Sequence, residues 1–211
     1  MIYAENILVF LAAPFIIGLF LLKGDSRRFV GFFLIGSTVC LLSSYINSFI
    51  AGVYGMNVID AIIKITPMIE EVMKALPLLF YMIIFIPKKE NILMCSIATG
   101  IGFATFENCC YVVAHGADNF YFVLIRGFAV GIMHILCSLS LGYSLGLGSN
   151  QKHFSWIGVF TCISICISYH AIYNLLVTGE GAWQFYGYFM PFVTVVGIII
   201  IKNLTTIIKN K

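Results

Sequence analysis

The stretch FYFVLIRGFAVGIMHILCSLSLGYSLGL, residues 120–147, decides the fold. It runs for 28 residues and contains one charged side chain, Arg126, and one histidine, His134. A helix needs about 20 mainly apolar residues to cross the hydrocarbon core of a bilayer. The apolar residues are continuous here and do not alternate with polar ones, as they do in segments of about ten residues in a membrane barrel. The stretch therefore predicts a transmembrane helix.

Six further segments share this length and apolar character: residues 7–22, 29–49, 58–86, 92–114, 154–177 and 183–201. Together they predict an all-α bundle of about seven transmembrane helices. We expect residues 1–211 to form a single transmembrane domain, with the motifs that carry function in a core at about 58–177.

The composition supports a membrane protein. Of all residues, 61% are hydrophobic and only 10% are charged, against about 25% charged in ordinary soluble domains. A water-soluble domain of this size cannot hide so much apolar surface. Soluble enzymes, disordered proteins and disulfide scaffolds are therefore excluded.

The connections between the predicted helices differ in charge. The first, third and fifth connections and the C-terminal tail hold nine of the 12 basic residues, and the other connections hold none. Because positively charged loops stay in the cytoplasm, we expect an external N-terminus and a cytoplasmic C-terminus in a multi-pass protein of the cell membrane. The net charge of +3 is small and is not gathered in one patch, so we expect the bilayer, and not nucleic acid, as a partner.

The segment 58–86 carries charge where charge is costly. A charged side chain at the centre of a bilayer costs at least about 2.5–3.5 kcal/mol. On one continuous helix, five charged side chains share an arc of about 120°: Asp60, Lys64, Glu70, Glu71 and Lys74. Lys74 could pair with either glutamate. Two adjacent carboxylates and a lysine are more than one structural ion pair needs, which indicates catalytic groups; a buried ion-pair cluster that orients the bundle is the alternative.

Two neighbouring segments each carry an isolated polar group. Glu107 has no basic neighbour within its own segment, so it needs a partner from elsewhere: a histidine, Lys74, Arg126 or a metal. His134 lies on a glycine-rich face, where the pairs Gly127/Gly131 and Gly142/Gly146 predict close packing against another helix. Taken singly, Glu107 could be a structural group and His134 a hydrogen-bonded core residue.

His170 and Asn174 lie four residues apart in the segment 154–177 and point the same way. Such a pair can bind a metal, hold a water or stabilise an oxyanion, or it can be a plain interhelical hydrogen-bond pair. At about 1.5 Å per residue, this pair lies in the middle to outer half of the bilayer, as do the two adjacent glutamates, Glu107 and His134. Antiparallel helices can therefore bring all these groups into one site.

Four motifs follow one another in the chain: Glu70-Glu71-x-x-Lys74, then Phe103-x-x-x-Glu107-Asn108, then His134 with Gly142 eight residues later, then His170-x-x-x-Asn174. This ordered set, which spans about residues 66–174, resembles the motif series of the PrsW family of membrane proteases. The resemblance implies a multi-spanning protease whose membrane core is similar to that of CAAX prenyl proteases and bacteriocin-processing proteins. It also implies a membrane-anchored, single-pass substrate like an anti-sigma factor, cut on its extracytoplasmic side. The CAAX-type pattern has His where this chain has Glu107.

These residues suggest how a peptide bond could be hydrolysed within the bilayer. Water attack needs a base, help for the carbonyl oxygen and an acid for the leaving amine. Glu70 or Glu71 would activate the water, and Lys74 would set the charge state of that glutamate.

The remaining site residues have two roles open to them. His134 would donate to the oxyanion or the leaving nitrogen, or bind a metal. His170 and Asn174 would hold the oxyanion or a water, and Glu107 would orient a histidine or bind a metal. No cofactor is certain, but zinc held by His134, His170 and Glu107 is an open alternative, because two histidines and a glutamate are a known catalytic ligand set.

Two other functions compete with proteolysis. The glycine-rich segment 120–147 also suits a non-catalytic membrane scaffold or immunity-type protein that binds partner helices. The line of glutamates and histidines could serve proton-coupled transport, although the chain lacks the inverted repeats of many transporters.

Overall fold

In the computed structural model, residues 3–148 and 156–209 are described, and they form only helices and the turns between them. The helices are α1 (Ala4–Leu21), α2 (Gly24–Val53), α3 (Val58–Lys64), α4 (Thr66–Phe85), α5 (Lys89–His115), α6 (Phe120–Gly148), α7 (Trp156–Val177) and α8 (Ala182–Lys209). Six of them, all except α3 and α4, are long and apolar enough to cross a membrane. The predicted all-α membrane bundle is confirmed. The predicted start of the sixth segment at residue 154, Lys152 and Lys211 lie outside the described residues.

The outer surface of the bundle is apolar. Phe10, Phe20 and Ile157 are each more than 80% exposed, at 82%, 83% and 81%. Many other large apolar side chains on these helices are exposed as well. So much exposed apolar surface is unusual on a soluble monomer, whereas the hydrocarbon core of a bilayer covers it. The chain is thus a multi-pass integral membrane protein.

The predicted third helix is broken. Helix α3 ends at Lys64 and α4 begins at Thr66, with Ile65 in a turn between them. Pro67 lies in the first turn of α4, where its missing N–H removes no helical hydrogen bond, as it would inside one continuous helix. Helix α4 has 20 residues, enough for about 30 Å, which is the thickness of the hydrocarbon core.

The predicted arc of five charged side chains is therefore wrong. Asp60 and Lys64 lie on α3, away from the glutamates of α4, and form their own exposed ion pair with 2.6 Å between Lys64 Nζ and Asp60 Oδ1. The Lys64 ammonium lowers the pKa of the Asp60 carboxyl by donating a hydrogen bond to it. Of these five charged side chains, the buried ones are Glu70, Glu71 and Lys74 of α4.

Helix α5 lies at the centre of the bundle, where it contacts α1, α2, α4 and α6. Helix α2 crosses it closely because two glycines have no side chain at the crossing. A Cβ atom on Gly102 would lie 2.0 Å from the Phe33 carbonyl oxygen, and one on Gly36 would lie 2.2 Å from the Thr99 carbonyl oxygen. Ser37 donates a hydrogen bond to the Gly102 carbonyl across the same crossing, at 3.0 Å.

Helix α6 packs against α5 through the C-terminal half of α6. A Cβ atom on Gly142 would lie 2.2 Å from Ser96 Oγ. The predicted close packing is thus confirmed at Gly142, but it is wrong at Gly127 and Gly131, where a Cβ atom would have open space around it within the described part of the chain. The glycine spacing alone does not distinguish these two stretches of α6.

Candidate active site

A chain of buried polar contacts joins four helices. Lys74 of α4 is fully buried, and its ammonium donates to Glu71 Oε1 at 2.7 Å and to His134 Nδ1 of α6 at 3.0 Å. Glu71 Oε1 also accepts from His170 Nδ1 of α7 at 2.8 Å. On the far side of its ring, His134 Nε2 lies 2.6 Å from Glu107 Oε2 of α5. The structure thus brings together the helices that the sequence placed at one depth.

These contacts assign the protons on both histidines. An ammonium group can only donate, so His134 Nδ1 accepts from Lys74 and His134 Nε2 carries the proton that faces Glu107. His170 Nδ1 donates to the Glu71 carboxylate, which leaves His170 Nε2 with a free lone pair. That nitrogen lies 3.9 Å from Glu70 Oε2, too far for a hydrogen bond.

The two adjacent glutamates have different surroundings. Glu71 is 4% exposed at its side chain and is held by Lys74 and His170. Glu70 lines a cavity, and its only described ion-pair contact is the long one to His170. The Glu71 carboxylate is therefore held by protein groups, whereas the Glu70 carboxylate is available to a ligand.

Phe103, which begins the second motif, forms the apolar wall of the site. Its ring is fully buried, with its centroid 5.0 Å from Lys74 Nζ and 4.7 Å from the centroid of the His134 ring. The His134 and His170 rings meet edge to face, with 5.1 Å between their centroids. The Phe103 ring thus limits the positions that Lys74 and His134 can take.

Arg126 extends the network toward the end of the bundle. Of the partners predicted for Glu107, the structure supplies His134 and Arg126, with 3.3 Å between Arg126 Nη2 and Glu107 Oε1. Arg126 Nη1 also donates to Asn108 Oδ1 at 2.6 Å, and the guanidinium carbon lies 3.5 Å from the centroid of the Tyr111 ring. Sequence reasoning missed Tyr111 as part of the site, although it lies one helical turn after Glu107.

Asn174 makes a contact that its predicted role does not require. Its side-chain amide donates to the backbone carbonyl of Ile62 in α3 at 2.9 Å. The amide therefore ties α3 to α7 beside the site.

The site opens into a cavity of about 360 Å³. Its inner wall includes the polar side chains of Glu70, Glu107, Arg126, His170 and Asn174. Its outer wall comes from residues at or beside the ends of four helices: His115 of α5, Phe122 of α6, Thr178 directly after α7 and Gln184 of α8. The cavity therefore opens at the end of the bundle that carries the α5–α6 and α7–α8 connections, which contain no Lys or Arg.

A larger groove, of about 870 Å³, lies between α2 and α4 at the opposite end of α4. It is lined mainly by apolar side chains and contains none of the site residues. The groove is therefore not part of the candidate active site, although its volume is larger.

Glu70, His134 and His170 fit a metal ion. Each offers one ligand atom, these atoms lie within 4.8 Å of one another, and all three residues are buried. Two histidine nitrogens and one carboxylate oxygen form a known catalytic zinc set. The sequence interpretation grouped Glu107 with the two histidines as possible metal ligands. In the structure Glu70 takes that position, because Glu107 faces Arg126 and the protonated side of His134.

Comparisons with known proteins gave one result. Neither a search of curated proteins nor a search of solved structures returned a match. A family model described as "PrsW family intramembrane metalloprotease" matches residues 26–201, which include all four motifs and most of the chain. The chain therefore belongs to the PrsW family of intramembrane metalloproteases and is a membrane-embedded peptidase.

Proposed function

We propose that this peptidase cuts a membrane-anchored, single-pass protein of the anti-sigma-factor kind, using a glutamate and histidine site that holds a metal ion within the bilayer. The observation that carries the proposal is the buried group of Glu70, His134 and His170 beside an open cavity. Membership of a protease family favours this function over the scaffold and transport alternatives.

Glu70, His134 and His170 would hold the ion, with His134 exchanging one of its two protein hydrogen bonds for it. Zinc is the ion that this donor set favours. When bound, such an ion polarises the carbonyl of the scissile peptide and makes a water more acidic. Glu71 supports this group because it accepts a hydrogen bond from His170 Nδ1 and so turns His170 Nε2 toward Glu70. Carboxylates commonly orient metal-binding histidines in this way.

The charges of the network also favour a cation. With both histidines neutral and all three carboxylates ionised, Glu70, Glu71 and Glu107 face two positive side chains (Lys74 and Arg126), and the difference is one negative charge. A buried charge without a partner is costly. A positive ion beside Glu70 would remove that cost.

Glu107 would act as the base. Its side chain is 30% exposed and lines the cavity, and a carboxylate has lone pairs to spare beyond its contacts with Arg126 and His134. It would take a proton from the attacking water and return it to the nitrogen of the departing amine. Arg126 would hold the carboxylate in place for both transfers.

The direction of the cavity supports a cut near the outer end of the substrate's membrane helix. The cavity opens at the end of the bundle whose connections lack basic residues. Loops of this kind are typical of the extracytoplasmic side.

Four variants test the roles: Glu70→Gln, His170→Ala, Glu107→Gln and the control Glu90→Gln. Each would be expressed at equal level in a host that lacks the gene. New N-termini among membrane proteins would be compared by mass spectrometry, and the metal content of each purified variant would be measured. Glu90 is an exposed carboxylate in the first turn of α5, so its change should alter neither quantity.

We expect Glu70→Gln and His170→Ala to lose both metal and cleavage. Glu107→Gln should retain the metal and lose about 10²- to 10⁴-fold in cleavage rate, the usual contribution of a general base. A folded Glu70→Gln variant that produces the same fragments as the wild type would contradict the proposal and would favour a scaffold.

A further inference from the structure

Helix α7 turns one face toward the cavity. His170, Tyr173, Asn174 and Val177 are spaced as neighbours on one side of a helix, and all four line the cavity. Of these four, only His170 and Asn174 were recognised from the sequence. Tyr173 stands between them and has no role in the chemistry described so far.

The Tyr173 side chain is held firmly but its hydroxyl is not satisfied. The residue is only 3% exposed, and its ring belongs to an apolar cluster with Ala129, Val130 and Met133 of α6. Within the described residues, the hydroxyl oxygen has no hydrogen-bond partner. A buried polar group left in this state costs about 1–3 kcal/mol, so a purely structural role would be better served by phenylalanine.

A second tyrosine of α7 shows the ordinary arrangement. Tyr169, one turn earlier, donates its hydroxyl proton to Thr194 Oγ1 of α8 at 3.0 Å, and it does not line the active-site cavity. The two side chains share a helix and a chemistry but differ in hydrogen bonding. The tyrosine whose hydroxyl lacks a described partner is the one that lines the cavity.

The site needs a donor that can face a substrate. When water adds to a peptide carbonyl, the oxygen becomes negative and is stabilised by hydrogen-bond donors that are already in place. The lysine, asparagine and arginine of the network have protein partners: Lys74 bonds Glu71 and His134, Asn174 bonds the Ile62 carbonyl, and Arg126 bonds Glu107 and Asn108. Tyr111 and Tyr188 also line the cavity without a described hydrogen bond from the hydroxyl, but their side chains are half-buried, so water can reach them. The Tyr173 hydroxyl can donate without giving up an existing bond.

We infer that Tyr173 is a catalytic residue whose hydroxyl donates a hydrogen bond to the carbonyl oxygen of the scissile peptide. The hydroxyl keeps its proton throughout. The new bond joins the water oxygen to the carbonyl carbon, the bond to the amide nitrogen breaks, and the transferred proton passes from water through Glu107 to that nitrogen. The inference rests on the proposed function, because it assigns a donor to the same cavity.

The test compares Tyr173→Phe with the matched control Tyr169→Phe, using the full-length protein and the substrate identified from the wild-type fragments. Both changes delete one hydroxyl and keep the ring. For Tyr173→Phe we expect kcat to fall about 10²- to 10³-fold, the usual effect of losing one oxyanion donor. KM and metal content should stay at wild-type values, and thermal stability should not fall, since the Tyr173 hydroxyl has no hydrogen bond to lose among the described residues. Tyr169→Phe should stay within about twofold of wild-type kcat.

Two outcomes would overturn the inference: a Tyr173→Phe enzyme with wild-type kcat, or a loss of kcat that comes with loss of metal or of thermal stability. The second outcome would show a structural hydroxyl. Glu70→Gln in the same assay judges the proposed function separately, because it should abolish metal binding, which Tyr173→Phe should leave unchanged.

Discussion

Lys74 is the residue on which the buried charges depend. It is fully buried, it donates to a carboxylate of its own helix and to a histidine of α6, and the Phe103 ring covers it. A buried ammonium is stable only when it is paired and hydrogen-bonded. The same pairing neutralises Glu71, which in turn orients His170.

Replacing Lys74 by Met should therefore destabilise the protein. Methionine has a similar length but cannot donate, so it leaves the buried Glu71 carboxylate with less compensation, which costs about 3–5 kcal/mol when one partner of a buried pair is removed. Unfolding of the purified protein in detergent would measure the change. The control is Lys64→Met, which removes the exposed lysine of the Asp60 pair and should leave the unfolding midpoint unchanged. Equal stability of Lys74→Met and wild type would show that Glu71 does not need its lysine.

Residue spacing predicted which residues form the site better than it predicted which of them contact one another. The sequence places Glu70, Glu71 and Lys74 within two turns of one helix, and Lys74 could have bonded either glutamate. Adjacent residues point about 100° apart on a helix, so the rotation of α4 against its neighbours decides which carboxylate faces the cavity. That rotation depends on packing between helices, which a single segment does not reveal.

At the scale of the helix, α3 is held in place by one well-defined contact. It has seven residues, too few to be stable as an isolated helix. The Asn174 side chain donates to the Ile62 carbonyl from α7 and so anchors α3 beside the cavity.

Asn174→Leu should loosen α3 without adding charge. Loss of one hydrogen bond worth about 1 kcal/mol corresponds to about fivefold faster opening, which hydrogen exchange of the amides in residues 58–64 would measure. Thr178→Val is the control, since Thr178 directly follows the last residue of α7 and its hydroxyl, among the described residues, donates only to carbonyls of α7 and not to α3. Unchanged exchange in Asn174→Leu would mean that packing alone holds α3.

The crossing of α2 and α5 gives a second prediction for the helices. An alanine Cβ at Gly102 would lie 2.0 Å from the Phe33 carbonyl oxygen. The backbone cannot move aside as a side chain can. We therefore expect Gly102→Ala to lower the free energy of unfolding by at least about 1–3 kcal/mol, the usual cost of an overpacked core. Yield of folded protein and the midpoint of unfolding would measure the effect.

Gly31→Ala is the matched control, because Gly31 lies on α2 with open space around its Cβ position among the described residues. Alanine favours a helix over glycine by about 0.5–1 kcal/mol, so this variant should be as stable as the wild type or more so. If Gly102→Ala behaved in the same way, α2 and α5 would have to lie further apart than in the structure.

Apolar length predicted most helices well, and it failed where two helices meet within one apolar segment. The segments that became α1, α2 and α5 to α7 needed changes of only a few residues at their described ends, whereas α8 continues to Lys209, beyond the predicted end at 201. The break at Ile65 was not predicted, although Lys64 and Thr66 flank it, because apolar residues on both sides join the two helices into one long segment. Pro67 is compatible with a kink inside a helix and with the start of a new one, and only the fold decides between them.

At the scale of the whole molecule, charge and cavity point to the same face. The connections α5–α6 and α7–α8 lie at the mouth of the cavity and contain Asp118 and Glu180 but no basic residue. Lys23 and Lys88 lie in connections at the other end of the bundle. Because positively charged connections stay in the cytoplasm, the mouth of the cavity should face outward.

This orientation can be measured with two cysteine variants and a maleimide that does not cross membranes. Asp118→Cys should be labelled in intact cells, and Lys88→Cys only after the membrane is permeabilised. The unmodified chain is the control for its seven native cysteines, each of which is buried or half-buried. The reverse pattern would place the cavity on the cytoplasmic side, and the cut in a single-pass substrate would then have to lie near the inner end of its helix. Orientation thus decides which end of the substrate the Glu70 site can reach.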